Sequence, residues 1–255
     1  MSAMALSSVA PHGPKQDRVK EIANVRSVLF PAKKDIHRTS VAAVERQKLI
    51  KRVKSIAEQE IMDQLDAENV DDPQKAASLR ILLDGMVESN LTSNTPLVES
   101  FTINGEAGAA VAYRFLEGST ENPTGHPALL FYKKYNGVWT KVTAAPAADE
   151  FSMGTFFVNR INVADRQAVF FLLWGTYSDF DTGQRVLLRL YRYDGIDTRV
   201  IWHRDGLTFG TVSVNNDRVI VEFDREYRST DPNNQVHQEF EVRPEGVLCL
   251  SSTCE

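Results

Sequence analysis

The chain has 255 residues, 42% of them hydrophobic and 25% charged, and a formal net charge of −5. This composition is typical of a soluble globular protein, and the acidic balance argues against binding nucleic acid over the whole surface. No segment approaches the roughly 18 consecutive apolar residues of a membrane-spanning helix. We therefore expect neither a transmembrane span nor a specific nucleic-acid partner.

Residues 1–14 are predicted to form a disordered N-terminus, because Pro11, Gly13 and Pro14 disfavour regular structure. The first ten residues are uncharged and rich in Ala and Ser, like the end of a signal peptide. The basic and long apolar regions of an intact signal peptide are missing. The compartment therefore stays open on this evidence.

Residues 15–92 are predicted to be helical, because apolar residues recur every three or four positions over 16–30, 40–65 and 73–90. Residues 15–54 hold twelve basic and four acidic residues, which gives a net charge of +8. A basic arm precedes the acidic half of the second helix, against the order that the helix dipole favours. The arm consists of Lys48, Lys51, Arg52 and Lys54. It indicates an acidic partner, charges elsewhere in the fold, or contact of residues 40–54 with an anionic membrane surface.

Residues 93–255 are predicted to form an all-β repeat domain, because short alternating runs are separated by turn residues. The predicted strands are about 98–103, 109–116, 128–134, 138–143, 154–161, 167–174, 185–192, 197–202, 209–214, 218–223, 236–242 and 247–250. Asn136-Gly137 and Asp194-Gly195 are dipeptides typical of type I′ hairpin turns, and Asn104-Gly105 begins a similar turn.

One pattern occurs twice: Tyr135-Asn136-Gly137 and its flanking strands return 58 residues later as Tyr193-Asp194-Gly195. This spacing groups the twelve strands into three four-stranded repeats, at about 98–145, 151–203 and 208–250. The fold class is therefore α+β, with a helical segment before a mainly antiparallel β domain. The repeats resemble propeller blades, but three blades do not close a propeller. A barrel, a sandwich, a dimeric ring or an edge covered by a partner remain as alternatives.

No catalytic motif is present: the chain lacks a nucleophile elbow, a zinc-protease motif, a phosphate loop and a dinucleotide-binding glycine pattern. The five histidines lie far apart in the sequence. The acidic stretch 178–183 resembles the start of a calcium loop but lacks the remaining ligands. We therefore predict no catalytic residues, no metal site and no cofactor.

The candidate binding residues lie in two long loops, 178–183 and 224–235, at equivalent points of successive repeats, and on one neighbouring strand. Loops at one edge of a β domain are a common place for binding residues. Arg and Tyr alternate with leucines on the strand, and both are enriched at protein interfaces. The candidates are Asp179, Asp181, Asp224, Glu226, Asp231, Asn233, Arg189 and Tyr191.

Cys249 and Cys254 are the two cysteines of the chain. They either close a small C-terminal disulfide loop or stay as unpaired thiols. A disulfide is typical of an oxidising compartment, and therefore favours a periplasmic or secreted protein.

Two functions from different classes follow. The first is a non-enzymatic protein-binding or scaffold subunit, which docks another protein or a second copy of itself through the β domain and the basic arm. The alternative is a secreted or periplasmic carbohydrate- or ligand-binding β-protein, and within it a hydrolase that uses the loop carboxylates. They differ in whether those carboxylates converge in a concave pocket.

Overall fold

The structure is a computed structural model that describes residues 20–21, 24–25, 43–66, 97–118, 123–146, 156–179, 183–227, 229, 231 and 233–254. The predicted disordered N-terminus 1–14 and the predicted helix over 73–90 lie outside the described residues. So does Asp181.

The described chain contains one long helix, α1 (Ala43–Asp66), followed by eleven strands. The strands are β1 (Leu97–Ile103), β2 (Glu106–Gly118), β3 (Pro123–Tyr135), β4 (Val138–Ala144), β5 (Phe156–Ile161), β6 (Val169–Asp179), β7 (Gly183–Tyr193), β8 (Thr198–Asn215), β9 (Arg218–Asp224), β10 (Gln235–Arg243) and β11 (Gly246–Cys249). The helix confirms the predicted helical periodicity over 40–65, and the strands confirm a mainly antiparallel β region.

The strands form two antiparallel meanders, each in sequence order. Sheet A has the order β1-β2-β3-β4, and sheet B has the order β5-β6-β7-β8-β9-β10-β11. Neither sheet closes on itself through the described strands, because β1, β4, β5 and β11 each have one paired side. The predicted closed-barrel alternative is therefore wrong for these strands.

The two sheets share an apolar core. Phe131 of sheet A lies edge-on to Phe171 of sheet B, with ring centroids 5.7 Å apart, and stacks on Tyr193 at 4.4 Å. At one margin, Arg160 of β5 donates hydrogen bonds to the Glu99 carboxylate at 3.0 Å and to the Ser100 carbonyl at 3.2 Å. Sheets A and B therefore pack face to face as a sandwich.

Sheet B is buried on its other face as well, because its second half bends back over its first half. Phe170 and Leu172 of β6 belong to a second apolar cluster with Val221 of β9 and Phe240 of β10. The N–H of Asn162, just after β5, donates to the carbonyl of Asn216 in the β8–β9 turn at 3.0 Å. This double burial explains why β6 is apolar at nearly every position instead of alternating.

Strand β8 corrects the predicted repeat. The segments 197–202 and 209–214 were expected to be separate strands in different repeats, but they lie in one 18-residue strand. Its first part pairs with β7 and its last part with β9, and the register shifts between Thr208 and Thr211. The strand bends at this bulge without ending. The three four-stranded repeats and the propeller-like arrangement are therefore not confirmed.

The hairpin turns are as predicted in two cases and different in the third. Asn136 and Gly137 both have positive φ, 49° and 84°, as do Asn104 and Gly105. At 194–195 only Gly195 has positive φ, so the predicted type I′ turn is wrong there. The Asp194 carboxylate instead accepts hydrogen bonds from the N–H groups of Asp197 at 2.9 Å and Ile196 at 3.1 Å. These bonds, with the charge of Arg192, hold the pKa of Asp194 below its ordinary value.

The chain divides into two compact units, 1–57 and 58–255, and α1 contributes residues to both. In the second unit, Glu58 accepts a hydrogen bond from Lys141 of β4 at 2.6 Å, and Ile61 and Leu65 are buried. Burial raises the pKa of Tyr113 in β2, and the Glu58 carboxylate raises it further. The end of α1 therefore lies against sheet A.

The C-terminus is closed by a disulfide between Cys249 and Cys254, whose Cα atoms are 6.2 Å apart. The loop between them returns along β10: the Gln238 side chain donates to the Thr253 carbonyl, and the Thr253 hydroxyl donates to the His237 carbonyl. The predicted disulfide is therefore present, and the alternative of unpaired thiols is wrong. Separately, no helix in the described part of the chain has the length and apolar character needed to span a membrane.

Candidate functional site

The two predicted binding loops meet at one end of β7. Gly183, the first residue of β7, lies so near the second loop that an added Cβ would be 2.7 Å from Cε2 of Tyr227. The same Cβ would be 3.1 Å from Cζ of Phe209 in β8. We call the group formed by Gly183, Phe209 and Tyr227 the rim. The absence of a side chain at Gly183, which has φ of 78°, permits this close approach.

Phe209 is held in an unusual backbone conformation at the rim. Its φ is 47°, a region that a bulky residue rarely occupies. Its ring is 45% exposed and stacks on Tyr227, with ring centroids 5.6 Å apart. Gly210 follows, where an added Cβ would be 3.0 Å from Cγ2 of Val186. The β8 bulge therefore directs an aromatic side chain outward that regular alternation would place elsewhere.

The loop that carries Tyr227 is fixed by a buried asparagine. The side-chain oxygen of Asn234 accepts from the Glu226 N–H at 2.8 Å, and its amide nitrogen donates to the Glu226 carbonyl at 2.9 Å. The N–H of Arg225 donates to the Asn234 carbonyl at 2.9 Å. These three bonds continue the pairing of β9 with β10 beyond the strands, so the loop is ordered before any partner binds.

The structure places four predicted residues in or next to this loop. Asp224 ends β9 and is half-buried, and the side chains of Glu226, Asp231 and Asn233 are exposed. The Asp231 carboxylate accepts hydrogen bonds from the N–H of Asn233 at 2.8 Å and from its side-chain amide at 3.1 Å. Asp231 and Asn233 therefore shape the turn as well as facing solvent.

The other predicted binding residues lie elsewhere. Asp179 is the last residue of β6 and pairs with Gly183 in the strand register. Arg189, in the middle of β7, forms a two-pronged ion pair with Asp205 of β8. Tyr191 is fully buried in the core between the sheets, and its hydroxyl donates to the Pro146 carbonyl at 2.8 Å.

The basic arm lies in the first unit, on the first half of α1. The Arg52 guanidinium forms a two-pronged ion pair with Glu21, with its second bond at 2.9 Å, and this pairing raises the pKa of Arg52. Lys48 lies 3.5 Å from Glu45 on the same helix. Lys51 is exposed and Lys54 is half-buried. The positive charge of Arg52 is therefore partly compensated within its own unit.

The described residues supply no metal centre: no three His, Cys, Asp or Glu side chains among them come together in a way that could hold a metal ion. The loop carboxylates surround an aromatic stack instead. Phe209 and Tyr227 were missed by the sequence reasoning. Glycines at 206 and 210 inside a strand pattern are the signal that could have indicated a bulge near Phe209.

Compared with known proteins, the chain matches no family model, no curated protein and no solved structure.

Proposed function

We propose that this chain is a non-enzymatic protein-binding protein that contacts another protein through the rim. The observation that carries the proposal is the Phe209 side chain, which is half-exposed, stacked on Tyr227 and fixed at a strained φ. Strained residues persist only where the surrounding structure holds them, and they concentrate at functional sites. A folded chain that did not use this ring would gain stability by placing glycine or asparagine there.

The composition of the rim fits a protein partner. Aromatic residues are enriched at protein interfaces and dominate their binding energy when they fill a pocket on the partner. Because Asn234 orders the loop in advance, binding here loses little conformational entropy.

The charge around the rim indicates the kind of partner surface. Residues 178–183 and 224–235 together contain five acidic and two basic residues, a net charge of −3. Complementary charge increases the association rate and suppresses wrong partners. We therefore expect the partner to present an apolar pocket that is flanked by Lys or Arg.

The experiment places a photoreactive phenylalanine analogue at position 209 and, as the control, at position 138. Val138 is an exposed apolar residue in the β3–β4 hairpin, outside the rim. A protein that crosslinks from position 209 and not from position 138 is then purified and its affinity measured. We expect Phe209→Asn, which tolerates positive φ, to weaken binding about 30-fold, as for loss of about 2 kcal/mol at a hot spot. Val138→Ser should leave the affinity unchanged.

Two results would contradict the proposal. The first is the same set of crosslinked proteins from both positions. The second is a purified partner that binds wild type and Phe209→Asn equally well. If the crosslinked protein is a second copy of the chain, the partner is the chain itself, and light scattering should then show a dimer that Phe209→Asn dissociates.

The disulfide favours one part of the alternative function, a secreted or periplasmic ligand-binding protein. Structural disulfides form and persist mainly in oxidising compartments. The hydrolase within that alternative needs two carboxylates that face a common pocket. Hydrolysis of none of a panel of glycosides by the wild-type chain, or equal hydrolysis by Asp224→Asn with Glu226→Gln, would dismiss it.

A further inference from the structure

A pocket of about 130 Å³ lies at the opposite end of β7 from the rim. It opens where the β1–β2 hairpin meets the loop between β7 and β8. Its apolar walls come from Phe101, Ile103, Tyr193 and Ile196, and its polar walls include Glu106 and Lys133. An engineered protein cavity of about 150 Å³ holds one benzene molecule, so this pocket has the size of a single ring.

Close backbone approaches fix the walls of the pocket. An added Cβ at Gly195 would lie 3.6 Å from Cγ2 of Ile103, which shows that the β7–β8 loop contacts the hairpin. The N–H of Asn104 donates to the carbonyl of Arg166 at 3.1 Å, and this bond holds the hairpin tip against the segment before β6. The pocket is therefore formed by ordered turns and strand ends.

Tyr193 gives the pocket an unused hydrogen-bonding group. Its side chain lines the pocket and is 1% exposed, and its ring stacks on Phe131 at 4.4 Å. The buried hydroxyl has no hydrogen-bond partner among the residues that the structure describes. Burial, together with the charges of Asp194 and Glu106, raises the pKa of Tyr193 to about 12. The hydroxyl is thus a permanent donor at neutral pH.

The charged groups of the pocket are already occupied. Lys133 forms an ion pair with Glu106. The Asp194 carboxylate accepts two backbone hydrogen bonds from its own loop and lies 3.7 Å from Arg192. A charged ligand would have to displace one of these partners. A neutral ligand needs only to fill the apolar space and accept one hydrogen bond.

We propose that this pocket binds a neutral one-ring molecule that carries a single oxygen acceptor, placed against the Tyr193 hydroxyl. The ring would lie between Phe101 and the two isoleucines, Ile103 and Ile196. The oxygen would satisfy the buried donor, which is left unpaired when a purely apolar ring occupies the pocket. This small-molecule site is separate from the protein-binding rim and does not depend on it.

The test is a titration of the full-length chain with two probes of the same shape, p-cresol and toluene. Chemical shifts of the Ile103 and Ile196 methyl groups report occupancy of the pocket. We expect both probes to give saturable shifts and p-cresol to bind at least fivefold more tightly. Tyr193→Phe should remove that difference by weakening p-cresol and leaving toluene unchanged.

Tyr113→Phe is the matched control, because its hydroxyl is also buried without a hydrogen-bond partner but lies outside the pocket lining. It should leave both affinities unchanged. Ala107 lines the pocket, and Ala107→Leu should weaken both probes together. Equal affinity of the two probes for wild type, or the same preference for p-cresol in Tyr193→Phe, would overturn the proposal. So would the lack of any saturable shift at either isoleucine. A chain with Phe209→Asn should bind both probes as wild type does.

Discussion

Replacing Gly108 with alanine would test the packing of the sandwich beside the pocket. Gly108 lies opposite Phe101 in the β1–β2 register, and its added Cβ would be 2.2 Å from Cε2 of Phe101 and 2.7 Å from Cζ. Carbon atoms pack best at about 3.5–4.0 Å, so the ring must move by more than about 1 Å. It is restrained by Phe171 and Tyr193, whose ring centroids lie 6.4 Å and 5.8 Å away.

Overpacking of this kind typically lowers the free energy of unfolding by about 1–3 kcal/mol. Because several ring atoms clash and the ring is restrained, we expect Gly108→Ala to cost about 3 kcal/mol. For a folded unit of this size, that corresponds to a fall in Tm of roughly 6–12 °C. Urea unfolding followed by tryptophan fluorescence, with thermal unfolding followed by circular dichroism, measures both quantities.

Gly246→Ala is the control, because an added Cβ there meets no atom within 4 Å. It should change stability by less than about 0.5 kcal/mol, as for a surface substitution. In a Phe101→Leu background the cost of Gly108→Ala should fall by at least about 1 kcal/mol, since residues in contact are coupled. The reasoning fails if Gly108→Ala is as stable as Gly246→Ala, or if its cost is the same in both backgrounds.

Two further predictions concern the disulfide and the pH dependence of stability. Replacing Cys249 and Cys254 with serine should lower the free energy of unfolding by about 2 kcal/mol, because the disulfide closes only a short loop; a reductant should destabilise wild type to the same extent and leave the double variant unchanged, and equal urea midpoints for oxidised wild type and the variant would contradict this. Because the pKa of Tyr193 is raised to about 12 in the folded state, its contribution to stability is complete below about pH 10 and is lost as the pH rises towards 12. Tyr193→Phe should therefore be less sensitive to alkali than wild type in unfolding experiments between pH 9 and 12, and identical slopes of stability against pH would refute it.

The positions of most strands follow from the sequence, because alternation and turn dipeptides are local signals. The strand predicted at 98–103 is β1 within one residue, and Asn136-Gly137 forms the expected turn with positive φ at both residues. The alternation of Leu188 and Leu190 with Arg189 likewise separates the second apolar cluster from the opposite face of β7. Each of these features depends on a few neighbouring residues.

The grouping of strands into sheets was not predictable in the same way. The resemblance of 188–200 to 130–142 reflects two similar strand–turn–strand segments, and it does not show which strands pair beyond them. In β8 the glycines at 206 and 210 resemble a strand boundary, but Gly206, with φ of 71°, lies within the continuous strand. Whether a glycine ends a strand or bends it depends on the strands that pair on either side, which the local sequence does not contain.

The candidate site was predicted in its location and missed in its chemistry for the same reason. Long polar loops between strands are visible in the sequence, and Gly183 and Tyr227 show that the two loops meet. The exposed side chain that distinguishes the site is Phe209, which a strand pattern assigns to one face or the other by alternation. A bulge shifts that alternation by one residue. The outward direction of Phe209 is therefore a property of the pairing of β8 with β7 and β9, and altering that bulge should remove the rim while leaving the Tyr193 pocket intact.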